Sequence, residues 1–196
     1  MLQIIENAKQ HVNTTSIISN GQSYTYNDVV TASQQFAFVL LNGKKDLQEA
    51  RVAFMVNPGF DYVKVQWGIW QAGGVIVPMC LTHPLPSLQY VIEDTLAEII
   101  VVSPEFESLL SEYATKNNIR LIVLGKESSV VPVALPNIDA TRNAMILFTS
   151  GTTNKPKGVV TTHDNLEAQI STLVKAWEWS EKDHTLCVLP LHHVHG

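Results

Sequence analysis

The sequence predicts an α/β domain built on a mostly parallel sheet with helices on both faces. Three observations lead there. Short, nearly all-apolar runs recur along the chain: RVAFMV at 51–56, VIVPM at 75–79, EIIVVS at 98–103 and LIVLG at 121–125. Such runs suit strands covered on both sides. Stretches with helical spacing separate them, and start and stop residues punctuate the junctions. Strand–helix–strand alternation of this kind places the strands parallel.

The elements follow in order. Asn27 is placed to cap a helix reaching about Leu41, with Val29, Ala32, Phe36, Val39 and Leu40 on one face and Asn42–Gly43 as its stop. A second helix fits residues 60–71 and stops at Gly73–Gly74. Pro86 suits the first turn of a third, ending near Leu96. Ser103, Pro104 and Glu105 supply a cap, a first-position proline and an acid for a fourth, ending near Asn117. Residues 126–142 break the rhythm with Pro132, Pro136 and few large side chains. They form a connector, and a subdomain boundary near Pro136 is expected within it.

Composition narrows the function classes. The chain has 196 residues, 45% hydrophobic and 16% charged, with a formal net charge of −5. That is ample material for a buried core and excludes a disordered tail or a collagen-like rod. A mildly acidic chain has no general positive field for nucleic acid or an anionic membrane. Any anion must be held by a local site. Cys80 and Cys187 form no C-x-x-C pair, which favours a reducing compartment. MLQIIENAKQHVNTT has neither the basic-then-apolar layout of a secretory signal nor the arginines of a transit peptide, so cytosol is expected. No apolar run approaches bilayer-spanning length.

The most informative stretch is AMILFTSGTTNKPKGVVTTH at 144–163. Two apolar β-prone runs, MILF and VV, flank a polar loop. It gathers the hydroxyls of Thr149, Ser150, Thr152 and Thr153, the lysines Lys155 and Lys157, and the glycines Gly151 and Gly158, with no acid among them. Polyphosphate needs that combination. Glycine lets backbone N–H groups approach and form an anion-binding concavity. Hydroxyls donate to phosphate oxygens, and lysine adds a point charge on a flexible stem. The loop is not a Walker A loop, because a strand-like run rather than a helix follows Gly158. The competing reading is a polar hairpin turn with no ligand, since these are ordinary loop residues. What separates the two is how many positions fit at once.

FTSGTTNKPKG resembles the signature of the adenylate-forming superfamily, which includes acyl-CoA synthetases, peptide-synthetase adenylation domains and beetle luciferases. The family pattern is an aromatic, Thr-Ser-Gly-Ser/Thr-Thr-Gly, a free position, then Pro-Lys-Gly. Only Asn154 departs, standing where the family has glycine, and Asn tolerates a left-handed backbone best among the others. Three more segments resemble family motifs in family order: YTYNDV at 24–29, GIWQAGGVIVPM at 68–79 and LPLHHVHG at 189–196. The last is most like the malonyl-CoA synthetase branch.

The resemblance implies the leading part of the large domain of an acyl-CoA synthetase. Its reaction joins a carboxylate to AMP from ATP with Mg²⁺, then passes the acyl group to coenzyme A. Thr149, Ser150, Gly151, Thr152, Thr153 and Lys157 would hold the ATP phosphates, with Lys157 acting in catalysis. His193 aligns with the motif histidine beside the acyl carboxylate, where it would act in catalysis by stabilising the carboxylate during attack on the α-phosphate. The family's adenine-stacking aromatic with its Mg²⁺-binding acid, its ribose-binding aspartate and its lid lysine do not occur before Gly196, so the chain alone is expected to be inactive. The alternatives are an adenylation domain feeding a carrier protein and a non-catalytic nucleotide-binding protein.

His192, His193 and His195 also invite a metal reading. On an extended segment only His193 and His195 share a face, and no Cys, Asp or Glu lies near them in sequence. No metal ligand is therefore assigned; a partly buried, backbone-satisfied role is the other structural option.

Overall fold

The computed structural model describes residues 2–149 and 155–193. A six-stranded sheet runs in the order β6-β5-β3-β4-β7-β8, with β3 Arg51–Met55, β4 Val75–Pro78, β5 Ile99–Val102, β6 Arg120–Val123, β7 Asn143–Thr149 and β8 Lys157–Thr162. All neighbours pair parallel except β7 with β8, which form an antiparallel hairpin at the edge. The parallel α/β expectation therefore holds.

Burial explains the apolar runs. β4 and β5 are buried at every position. Alternate residues feed two cores, one on each face. Val52, Phe54, Ile76, Ile99 and Val101 join the first, while Ala53, Met55, Val77, Ile100 and Val102 join the second. Helices α1 (Gln3–Gln10), α2 (Tyr26–Leu41) and α3 (Phe60–Gln71) cover the first face; α4 (Leu85–Asp94) and α5 (Glu107–Lys116) cover the second.

Two helix starts differ from expectation. Thr25, not Asn27, caps α2: its hydroxyl accepts the Asp28 N–H while the Asp28 carboxylate accepts the Thr25 N–H. This reciprocal box satisfies two donors that a lone Asn27 cap would leave open. The stop is as expected, with Asn42 left-handed at φ 46°. Ser103 does not cap a helix with its side chain. Its hydroxyl instead accepts the Asn57 N–H at 3.2 Å, tying two strand ends together. A short 3₁₀ turn, Pro104–Phe106, then precedes α5.

The α2–α3 contact needs a glycine. A Cβ on Gly68 would lie 2.9 Å from Phe36 Cδ1 and 3.0 Å from the Ser33 carbonyl oxygen. Beside it, the buried Gln71 Nε2 donates to Ser33 Oγ at 2.8 Å. Trp70 Nε1 donates to the Ala144 carbonyl at 2.9 Å and so joins α3 to β7.

Residues 126–142 contain no helix or strand. Val133, Leu135 and Ile138 nevertheless pack on the first core. At their end Arg142 binds Asp46 and the Gly73 carbonyl. Two features were not read from the sequence: helix α1, and a small antiparallel hairpin of β1 (Thr15–Ser19) with β2 (Gln22–Thr25). A last helix, α6 (His163–Ala176), follows β8 and begins with another box, Thr162 with Asn165.

Candidate nucleotide-phosphate site

The β7–β8 hairpin flanks the candidate phosphate loop on both sides. Its register pairs Phe148 with Gly158 and Thr149 with Lys157, so the polar loop leaves from the very tip. Thr149 Oγ1 donates to the Lys157 carbonyl at 3.5 Å. Both Thr149 and Lys157 are exposed. As directly opposed strand residues they share one face of the hairpin, and Phe148 and Gly158 share the other. Gly158 is required by packing: an added Cβ would sit 2.8 Å from Ile146 Cγ2. Ser150, Gly151, Thr152, Thr153 and Asn154 lie outside the described residues.

Because β7 runs parallel to β4, Thr149 ends on the same sheet edge as Pro78 and Met79. Open parallel sheets place ligands outside the carboxyl ends of their strands. The hairpin tip stands there with the Thr149 hydroxyl and the Lys157 ammonium exposed, and among the described residues no carboxylate is bonded to either. That donor set suits a polyanion.

The histidines lie at the same edge through β4. His83, on the loop after β4, has its ring 6.3 Å from His192, and His192 stands 4.2 Å from His193. Burial, then the neighbouring His193 and His83, holds the His192 imidazole below its ordinary pKa. The segment is anchored from beneath: Tyr62 Oη donates to the Leu191 carbonyl at 2.8 Å. Burial, with a smaller contribution from Cys187, pushes the Tyr62 phenol up, so it stays a donor. His193 is exposed and its backbone N–H donates to the Pro190 carbonyl at 3.1 Å. Among the described residues no hydrogen bond or ring contact joins His193 to Thr149 or Lys157. Nor does any group of three or more His, Cys, Asp or Glu side chains stand ready to hold a metal ion. His195 lies outside the described residues.

Sequence reasoning missed two contributors. His83 carries no motif of its own. Tyr90 on α4 donates from its hydroxyl to the Pro156 carbonyl at 2.9 Å, across 66 positions of chain. No local pattern signals either contact.

His163 belongs to the other end of the hairpin, where Thr162 nears Asn143. It is buried, edge-on to Trp70 at 5.9 Å, and its pKa falls to about 4 through burial and the nearby Arg142 charge. It is a core imidazole held neutral.

Comparison with known proteins fits this geometry. The chain is 33% identical over 195 residues to the malonate–CoA ligase ACSF3, mitochondrial, of Xenopus laevis, covering 93% of this chain and 34% of that protein. It is 42% identical over 159 residues to the Homo sapiens protein of the same name, covering 77% of this chain and 27% of that one. The crystal structure of ATP-bound MatB from Rhodopseudomonas palustris superposes with a TM-score of 0.82 at 25% identity, over 98% of this chain and 41% of that chain. The chain thus spans about a third of the length of the curated relatives it matches. A family model described as AMP-binding enzyme matches residues 4–196, and the chain belongs to that family.

Proposed function

We propose that this chain supplies the polyphosphate-gripping part of an AMP-forming acid–thiol ligase. One observation carries the reading: Thr149 and Lys157 face outward together at the tip of a hairpin, on the carboxyl edge of a parallel sheet. Thr149, Ser150, Gly151, Thr152, Thr153 and Lys157 would hold the β- and γ-phosphates of ATP, and His193 would lie beside the acid. Because the chain spans about a third of its relatives' length, the full reaction is proposed for the whole protein.

The chemistry needs what the tip offers. A carboxylate oxygen attacks the α-phosphorus; the bond to the bridging oxygen breaks and pyrophosphate leaves with its charge. Ammonium and hydroxyl groups already facing that charge stabilise its development. The coenzyme A thiolate then attacks the acyl carbon and AMP departs. Mg²⁺ carried on the phosphates would neutralise further charge. The described groups at the tip, hydroxyl and ammonium, fit the phosphates rather than the metal.

A short dicarboxylic acid such as malonate is the acid we favour. LPLHHVHG and the named malonate–CoA ligases support it. A net charge of −5 supports small-molecule partners over nucleic acid. Among the described residues no helix is long and apolar enough to cross a membrane. Cytosolic residence is proposed from the two separated cysteines, which favour a reducing compartment; the ACSF3 relatives above are named as mitochondrial, so fractionation of cells bearing a tagged protein decides. A subdomain boundary within 126–142 is proposed from the absence of regular structure there, and limited proteolysis tests it.

The test of the main reading is titration of MgATP into the chain by calorimetry, with ATP–pyrophosphate exchange measured in a polypeptide of the relatives' length. Lys157→Ala and Ser150→Ala should each weaken binding and slow exchange. Unchanged values in both variants reject the assigned phosphate site.

A further inference from the structure

We propose that Tyr90 is a positioning residue that holds the descending arm of the phosphate loop from behind. Its hydroxyl donates to the Pro156 carbonyl at 2.9 Å. Its ring meets Phe148 edge-on at 6.1 Å, on the ascending arm. Lys155 Nζ lies 5.6 Å from the ring centroid, within cation–π range. One side chain on α4 thereby touches both arms of the hairpin and the loop residue between Asn154 and Pro156.

The face on which it acts gives these contacts their consequence. Phe148 and Gly158 form the rear of the tip and Thr149 and Lys157 the front. Tyr90 buttresses the rear, so it leaves the front open to an anion. Proline has no N–H to pair across the hairpin, so at Pro156 the backbone has only its carbonyl to offer, and Tyr90 ties it. Attraction to the ring draws Lys155 toward α4, which leaves Lys157 as the ammonium on the phosphate-facing side. This role rests on the phosphate-site reading proposed above.

The experiment compares wild type, Tyr90→Phe and Tyr90→Leu in the full 196-residue chain. Tyr90→Phe removes only the hydroxyl bond; Tyr90→Leu also removes the ring. The first readout is the rate of tryptic cleavage after Lys157 without ligand. Losing one hydrogen bond should raise that rate about three- to tenfold in Tyr90→Phe, and further in Tyr90→Leu, with circular dichroism spectra unchanged. Equal rates overturn the latch. The second readout is calorimetric affinity for inorganic tripolyphosphate, read beside the urea midpoint. Tyr90→Phe should bind tripolyphosphate about three- to tenfold more weakly while unfolding at the wild-type midpoint. A loss of affinity that comes with a lowered midpoint means general destabilisation and overturns the positioning role, as does an unchanged affinity. A wild-type chain that binds neither MgATP nor tripolyphosphate overturns the phosphate reading and this role with it, whatever the cleavage rates show.

Discussion

Arg142 grips Asp46 through two N–H···O bonds, 2.8 and 3.1 Å long, and spends a third on the Gly73 carbonyl at 2.7 Å. The pair joins the end of the irregular segment 126–142 to the turns flanking β3 and β4, and so fixes where β7 enters the sheet. A fork-shaped guanidinium matches both the carboxylate and the carbonyl, which an ammonium cannot do. Burial pushes the Asp46 carboxyl up, but Arg142 and the Gln48 N–H together outweigh it and hold the group below its usual range. Arg142→Ala should cost about 2 kcal/mol, since charged hydrogen bonds contribute about 1.5–3 kcal/mol and both side chains are mostly covered. Arg142→Lys should recover less than half. Urea unfolding followed by tryptophan fluorescence measures both.

Gly68→Ala probes the α2–α3 seam. The new methyl would press on a phenyl ring at 2.9 Å and on a backbone carbonyl at 3.0 Å. The ring can turn, but the carbonyl belongs to a helix and cannot move without shifting it. Overpacking of this kind costs about 1–3 kcal/mol. Alanine's better helix propensity returns about 1 kcal/mol at most. A net loss of stability is expected, read as a lower urea midpoint; a midpoint equal to wild type would mean that the seam takes up the methyl for no more than helix propensity returns.

How far the sequence speaks depends on the range of the interactions. Helix α3 was legible to the residue because apolar positions recur through it and Gly73–Gly74 stop it. Strands β4 and β5 were legible because burial on both faces leaves them wholly apolar, and β3 because its one polar residue is Arg51 at the half-exposed start. Helix α1 was not: its eight residues are largely polar, and only Ile5 and Ala8 are buried within it. Short half-exposed strands such as TSIIS and QSYT carry little alternation, so β1 and β2 were silent as well. At α2 the reading from sequence took Asn27 as the cap and passed over the Thr25–Asp28 reciprocity that sets the start two residues earlier. At the site, Thr149 and Lys157 were legible because loop chemistry is local, whereas Tyr90 and His83 reach it only through the fold.

His163 should make the fold sensitive to mild acid. Its pKa is about 4 in the folded chain against 6.5 for the free group, chiefly through burial and next through Arg142. Above the free value both states are neutral, and the group adds no pH dependence. Between those two values the unfolded chain binds the proton and the folded chain does not, so stability falls as pH falls. His163→Phe keeps a ring against Trp70 and removes the titration. Its unfolding free energy should decline less than that of wild type between pH 6.5 and 4. Parallel declines would assign the acid sensitivity to other groups.

Lys157 is the sharpest probe of the proposed function. It is exposed, opposes Thr149 at the hairpin tip, and is the first β8 residue after the loop. Truncating an exposed side chain there should leave stability within about 0.5 kcal/mol. Lys157→Ala should nevertheless weaken MgATP binding about tenfold or more, because a charge-assisted contact to phosphate contributes about 1.5–3 kcal/mol. Lys157→Arg keeps the charge but changes its shape, and should fall between the two. The loss should shrink as salt rises, since an exposed charge pair is screened. Calorimetric titrations at low and high ionic strength measure all of these, and a Lys157→Ala chain that binds MgATP as tightly as wild type would remove the lysine from the site.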